Sequence, residues 1–147
     1  MKTIDILNLA NAGILSISAN DLDAAHAYKV LKFKKAVKKA FESIMESERE
    51  ILKEAGIEDA VAFDKERKEL IESGSNSKRR EEMNKQLSRV LELRSNLYKE
   101  DVELDCKTIP FEQFHALQCE NKDLANKPLN AFEEILEGVL WEAPNEE

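Results

Sequence analysis

Cys106, His115 and Cys119 are the residues whose types and spacing come nearest to chemistry, in a C-x8-H-x3-C pattern. His115 and Cys119 stand four apart, which on a helix puts them on one face. Thiolate and imidazole ligands suit zinc, but a structural site takes four ligands. The chain has no third cysteine and only one further histidine, His26. Buried thiols and a surface or capping histidine account for the same residues, so no metal site is expected here. A cysteine nucleophile assisted by His115 lacks any accompanying signature.

Glu133, Glu134 and Glu137 spell E-E-x-x-E in the run EEILE. That resembles the first half of the magnesium cage of all-helical nucleotide pyrophosphohydrolases, whose second half is a downstream E-x-x-D. No E-x-x-D occurs after Glu137. The three glutamates read more simply as the solvated side of a helix whose buried side is Phe132, Ile135, Leu136 and Leu140. There is no Walker loop, no G-x-G-x-x-G and no G-x-S-x-G, and four scattered glycines make a phosphate-cradling loop hard to build. Catalytic, cofactor-binding and metal residues are therefore all expected to be none. A helical metal-dependent nucleotide hydrolase stays only as a minor alternative.

Charge supplies a stronger signal. Lys29, Lys32, Lys34, Lys35, Lys38 and Lys39 place six lysines within eleven residues, in a chain whose net charge is −8. At 100° per residue they fan over the side of a helix opposite Phe33, Val37 and Phe41. One reading is a solvated face partly paired with Glu42, Glu46 or an acidic neighbour, each exposed pair contributing only ~0.3–0.5 kcal/mol. The sharper reading is a docking patch, with Lys29, Lys32, Lys35, Lys38 and Lys39 as its partner-binding residues. Bidentate phosphate recognition favours arginine, and no stacking array interleaves these lysines, so an acidic protein fits better than nucleic acid. The overall acidic excess repels phosphate as well.

The element that must position these lysines runs from Asn20 to Gly56. Asn20, Asp21 and Asp23 offer caps, Gly56 offers a stop, and no glycine or proline interrupts Leu22 to Ala55. Such a rod is roughly 50 Å long at 1.5 Å per residue. Its apolar stripe is Val30, Phe33, Val37, Ala40, Phe41, Ile44, Ile51 and Leu52. Lys78 to Glu100 places Met83, Leu87, Val90, Leu91, Leu93 and Leu97 at helical spacing, and the loop SGSNS at 73–77 lets it fold back as an antiparallel hairpin partner. The charged connector 57–77 is either a short helix or an exposed excursion.

Period two predicts strands before and after this hairpin in the chain, brought together at one end of the helices. Ile4 and Ile6 alternate with Thr3 and Asp5 before a short helix, within 2–19. Val102, Leu104 and Cys106 alternate with Glu103, Asp105 and Lys107 in the strand 101–110. Paired, they make a minor two-stranded element. Residues 111–141 read as two helices, Phe111 to Glu120 and Lys127 to Trp141, with Pro128 in the first turn of the second and Trp141 as a packing lid. Residues 142–147 form an acidic tail. The fold class expected is mainly α (α+β), a long antiparallel helical hairpin with short helices and a minor two-stranded β element, in a single domain 1–147.

Charged residues at 35% and hydrophobic residues at 42% suit a helix-rich soluble protein. No window is apolar enough for a membrane span, no secretion signal is read at the start, and two cysteines fit a reducing compartment, so the cytoplasm is expected.

Ala27-Tyr28-Lys29, Tyr98 to Leu104 (YKEDVEL) and Ile135 to Leu140 (ILEGVL) together resemble a family of small uncharacterised helical proteins encoded by phages and prophages. The resemblance implies a non-enzymatic protein acting through protein–protein contacts, as a virion assembly or structural accessory component. It carries no functional residue across. The partner would be a phage or host protein, or a second copy in a homo-oligomer. The rival expectation is a regulatory binder of a host protein, antitoxin-like or an acidic mimic of nucleic acid.

Overall fold

The computed structural model describes residues 1–74, 77–123 and 129–144. They form a mainly helical protein with one two-stranded parallel sheet. The elements are α1 (Thr3–Asn11), α2 (Ala24–Glu54), α3 (Ala60–Glu72), α4 (Lys78–Tyr98), β1 (Ile109–Pro110), α5 (Phe111–Glu120), α6 (Glu133–Leu136) and β2 (Trp141–Glu142). Single 3₁₀ turns occupy Ile14–Ser16 and Leu129–Phe132. Contacts divide the chain into two compact units, Met1–Ser43 with Glu100–Glu147, and Ile44–Lys99.

In the first unit, residues 3–7 are helical, which corrects the strand expected there. Alternation would bury Ile4 with Ile6, whereas Ile4 is 37% exposed and Thr3 only 1%. Thr3, Ile6 and Leu7 share a buried face at three- and four-residue steps, and that longer period wins over a four-residue alternation. Gly13, at φ 92°, ends the α1 segment in the left-handed region that side chains disfavour. α2 starts later than Asn20, where the Asp23 carboxylate accepts from the His26 N–H at 3.3 Å. Val30, Phe33 and Val37 are fully buried. They lie in this first unit, whereas the hairpin unit begins only at Ile44, so α2 is not a hairpin arm along its whole length.

The expected strand 101–110 is corrected too. Burial alternates as expected, with Val102, Leu104, Cys106 and Thr108 half-buried and Glu103, Asp105 and Lys107 exposed. The ladder is missing. Pairing with the N-terminus is confined to one bridge at Lys2 and Asp101, with bonds between Val102 and Met1 on one side of it and from Thr3 to Glu100 O on the other. α1 takes up the rest of that run, leaving no extended partner. Lys2 Nζ lies 2.9 Å from Asp101 and holds that carboxyl below its usual range through a hydrogen bond. The sheet forms instead between β1 and the C-terminal β2, Ile109 donating to Leu140 O at 2.7 Å.

The helix expected over Lys127 to Trp141 reduces to the 3₁₀ turn and the four residues of α6, and Pro128 lies outside the described residues. Gly138 at φ 79° turns the chain, and its N–H reaches Trp141 O at 2.7 Å. Trp141 is indeed a lid, 8% exposed, with its ring 5.7 Å from Phe114 and its indole donating to Glu133 O.

Glu120 fastens the α1–α2 connection to the end of α5. Its carboxylate accepts from Ser18 Oγ and the Asn20 N–H, each at 2.8 Å, and from the Asp21 N–H at 3.1 Å. Burial alone would raise its pKa, but the three donors outweigh that and hold it below the ordinary glutamate value. A carboxyl depressed by folding contributes stability above its unfolded pKa and loses it as pH falls through the folded one. Glu120→Gln is therefore expected to be less stable than the natural chain at neutral pH. Urea midpoints of the two should converge below the ordinary glutamate range, and a gap independent of pH would contradict this role.

The second unit is a helical hairpin. Ile57, Phe63, Met83 and Val90 are its buried cluster, with Ile51, Leu52, Leu70 and Leu87 packed around them. The connector 57–77 contains α3, so the first arm is the end of α2 followed by α3. Both run antiparallel to α4: Tyr98 donates to Glu48, Gln86 to Gly56 O, and Arg79 grips Glu66 through two bonds of 2.7 and 3.1 Å. The Arg79 bond lowers the Glu66 pKa, and burial with the Glu48 contact raises that of Tyr98. Gly56 breaks the arm at φ 80°, and Asp59 restarts it by accepting from the Val61 and Ala62 N–H groups. Asp59→Ala should cost about 1 kcal/mol in chemical denaturation, the usual penalty for a lost N-cap. An unchanged midpoint would mean α3 adds nothing to this unit's stability.

Candidate docking surface

The buried side of α2 fixes where its lysines go. With Val30, Phe33 and Val37 held inward, Lys32, Lys35, Lys38 and Lys39 are exposed and Lys29 is half-buried at one edge. Lys34 differs: its ammonium donates to Ile17 O at 2.8 Å, tying down the residue that follows the 3₁₀ turn. Among the described residues, Lys29, Lys32, Lys35, Lys38 and Lys39 have no ion pair, and Glu42 and Glu46 do not neutralise them. Lys32 Nζ instead sits 5.4 Å from the centre of the Tyr28 ring, which is 56% exposed.

Recesses open beside this face. One of about 550 Å³ is lined by His26 and Lys29 of α2 and by Thr108, Phe111 and Glu142 across from them. Another of about 350 Å³ lies between Tyr28, Lys29 and Lys32 and the chain at Asp105–Lys107. His26 Nδ1 lies 2.6 Å from Asp23 Oδ1, an i,i+3 contact at the start of α2. Tyr28, His26 and Phe111 were not singled out from sequence as site residues. Only Tyr28 carries a signal there, four residues before Lys32, where an aromatic ring can meet a cation.

The cysteine and glutamate patterns do not assemble. Cys119 Sγ and His115 Nε2 stand 3.8 Å apart on α5, while Cys106 directs its thiol to Val139 O at 3.5 Å. Burial, then the Asp105 charge, pushes the Cys106 thiol up. Glu133 and Glu134 lie in α6, but Glu137 has already left the helix in extended backbone, so the one-turn helical spacing of a carboxylate cage is not realised. Among the described residues no group of three or more His, Cys, Asp or Glu side chains could hold a metal ion. No described helix is long and apolar enough to cross a membrane. No family model, curated protein or solved structure matches the chain.

Proposed function

We propose that the protein is a non-enzymatic interaction module that docks an acidic protein partner on the exposed side of α2. One observation carries this reading: Lys29, Lys32, Lys35, Lys38 and Lys39 form a contiguous cationic face without ion pairs among the described residues, in a chain of net charge −8. An acidic protein has acceptors to spare for it without internal neutralisation. The resemblance to small phage-encoded helical proteins favours a role as a virion assembly or accessory component. The test is anisotropy of a labelled polyglutamate chain against the full protein at low and at high salt, with duplex DNA of equal charge as comparison. Binding of polyglutamate that weakens with salt, stronger than that of DNA, is expected. No binding, or a preference for DNA, would overturn the reading.

Self-association is a second reading, favoured by α4. Leu91 is 67% exposed within the helical stripe Asn84, Ser88, Leu91 and Ser95. That stripe is uncharged, so two copies could meet there without burying like charges. Light scattering over a concentration series should then show a dimer that survives salt and reverts to monomer in Leu91→Glu. A strict monomer at every concentration would end this second reading.

A further inference from the structure

Lys29 lines both recesses beside α2, and one stretch of chain, Asp105 to Phe111, supplies the far wall of each. The chain from Val102 into that wall at Thr108 alternates half-buried and exposed residues like a strand, yet it joins no sheet. Among the described residues the backbone N–H groups of Glu103, Asp105 and Lys107 meet no acceptor, and the Cys106 N–H turns back to Leu104 O. Although this turn bends the chain at Asp105, its open N–H groups can still bond an extended chain laid beside it.

Charge decides what would add there. The smaller recess carries Lys29, Lys32 and Lys107 against the single carboxylate of Asp105. The larger one sets Lys29 against Glu112 and Glu142 and offers Phe111, Ile109 and Pro110 as apolar wall. Lys29 and Lys32 are three residues apart on a helix, about 4.5 Å along its axis. Alternate side chains of an extended peptide stand about 7 Å apart on one side, a gap that two long, flexible lysines can span.

We infer that the groove between the first turns of α2 and the chain at 105–108 takes an acidic peptide in extended form. Its backbone lines up along the open edge and its alternate carboxylates meet Lys29 and Lys32. The inference rests on the docking role proposed for the lysine face and adds the conformation of what docks. The chain segment nearest Phe111 prefers an apolar side chain over a further carboxylate, because Glu112 and Glu142 stand there.

The probe is a labelled octapeptide of alternating glutamate and valine, titrated into the full chain by anisotropy. Two further versions carry N-methyl groups on alternate amides, one blocking each edge of the peptide. The unmodified probe should bind, one N-methylated version should bind at least tenfold more weakly, and Lys29→Glu with Lys32→Glu should weaken binding at least tenfold with unchanged helical circular dichroism. Binding indifferent to both N-methylation patterns, or no binding, overturns the extended mode. Polyglutamate separates the two levels: if it binds through Lys35, Lys38 and Lys39 while the octapeptide does not, the groove falls and the docking face stands. If neither binds, both fall.

Discussion

Val37→Asp should destabilise the chain by about 3–5 kcal/mol, the range for an unpaired charge placed in a well-packed core. Val37 has no exposed surface, and its neighbours along α2, Val30 and Phe33, are buried with it. A carboxylate there has no donor to meet and either stays ionised at high cost or takes up a proton. Against a total stability of about 5–15 kcal/mol, such a loss is a large share. Lys38→Asp, one residue on but exposed, should shift the urea midpoint little. The pair of variants isolates burial from helix propensity and from charge. Equal midpoints for Val37→Asp and Lys38→Asp would mean that the buried side of α2 is misassigned, and with it the position of the lysine face.

The second large effect concerns binding. Replacing Lys32, Lys35, Lys38 and Lys39 together by glutamate should weaken polyglutamate binding by at least about a hundredfold. An exposed ion pair contributes up to about 1 kcal/mol, and tenfold in affinity corresponds to about 1.4 kcal/mol. Four lost pairs plus four new repulsions exceed the two decades asked for. Stability should hold or change little, because none of the four is ion-paired among the described residues. Lys34 is the internal control: Lys34→Met removes the bond to Ile17 O, so stability should fall while binding stays. If Lys34→Met weakened binding as much as the fourfold reversal, net charge and not the face would be responsible.

The sequence made the buried side of α2 legible because three- and four-residue steps persist from Val30 to Ile44 and the lysines fall opposite. Length made that signal reliable. At residues 2–7 the run was too short for its period to decide, since Ile4 and Ile6 fit alternation while Thr3, Ile6 and Leu7 fit a helix. At 102–108 the alternation was real and correctly marked which side chains turn inward. Period says nothing about pairing, however: 102–108 joins no sheet, and only Ile109–Pro110 finds a partner, at Trp141–Glu142 beyond a turn at Gly138. That turn was hidden inside a leucine-rich pattern that also suits a helix. Leu91 followed helical spacing in α4 yet ended up exposed, because its side of α4 lies off the buried seam of Met83 and Val90.

The candidate site was legible only in its lysines. Which of them were internally engaged depended on Lys34 meeting Ile17 O, a contact between distant parts of the chain that spacing cannot reveal. The recesses depended likewise on where 105–111 runs beside α2. The carboxylate and thiol patterns failed for the opposite reason. Each needs several residues to converge, and α6 ends too soon for Glu137 while Cys106 is held at Val139.

Backbone amide shifts of the isotope-labelled chain, recorded while polyglutamate is added, test the docking face most directly. The shifts should concentrate on residues 25–39, extend to 105–108, and fade as salt is raised. Shifts confined to residues 44–99, or none at polyglutamate concentrations that saturate the anisotropy signal, would contradict a docking role for the lysines of α2.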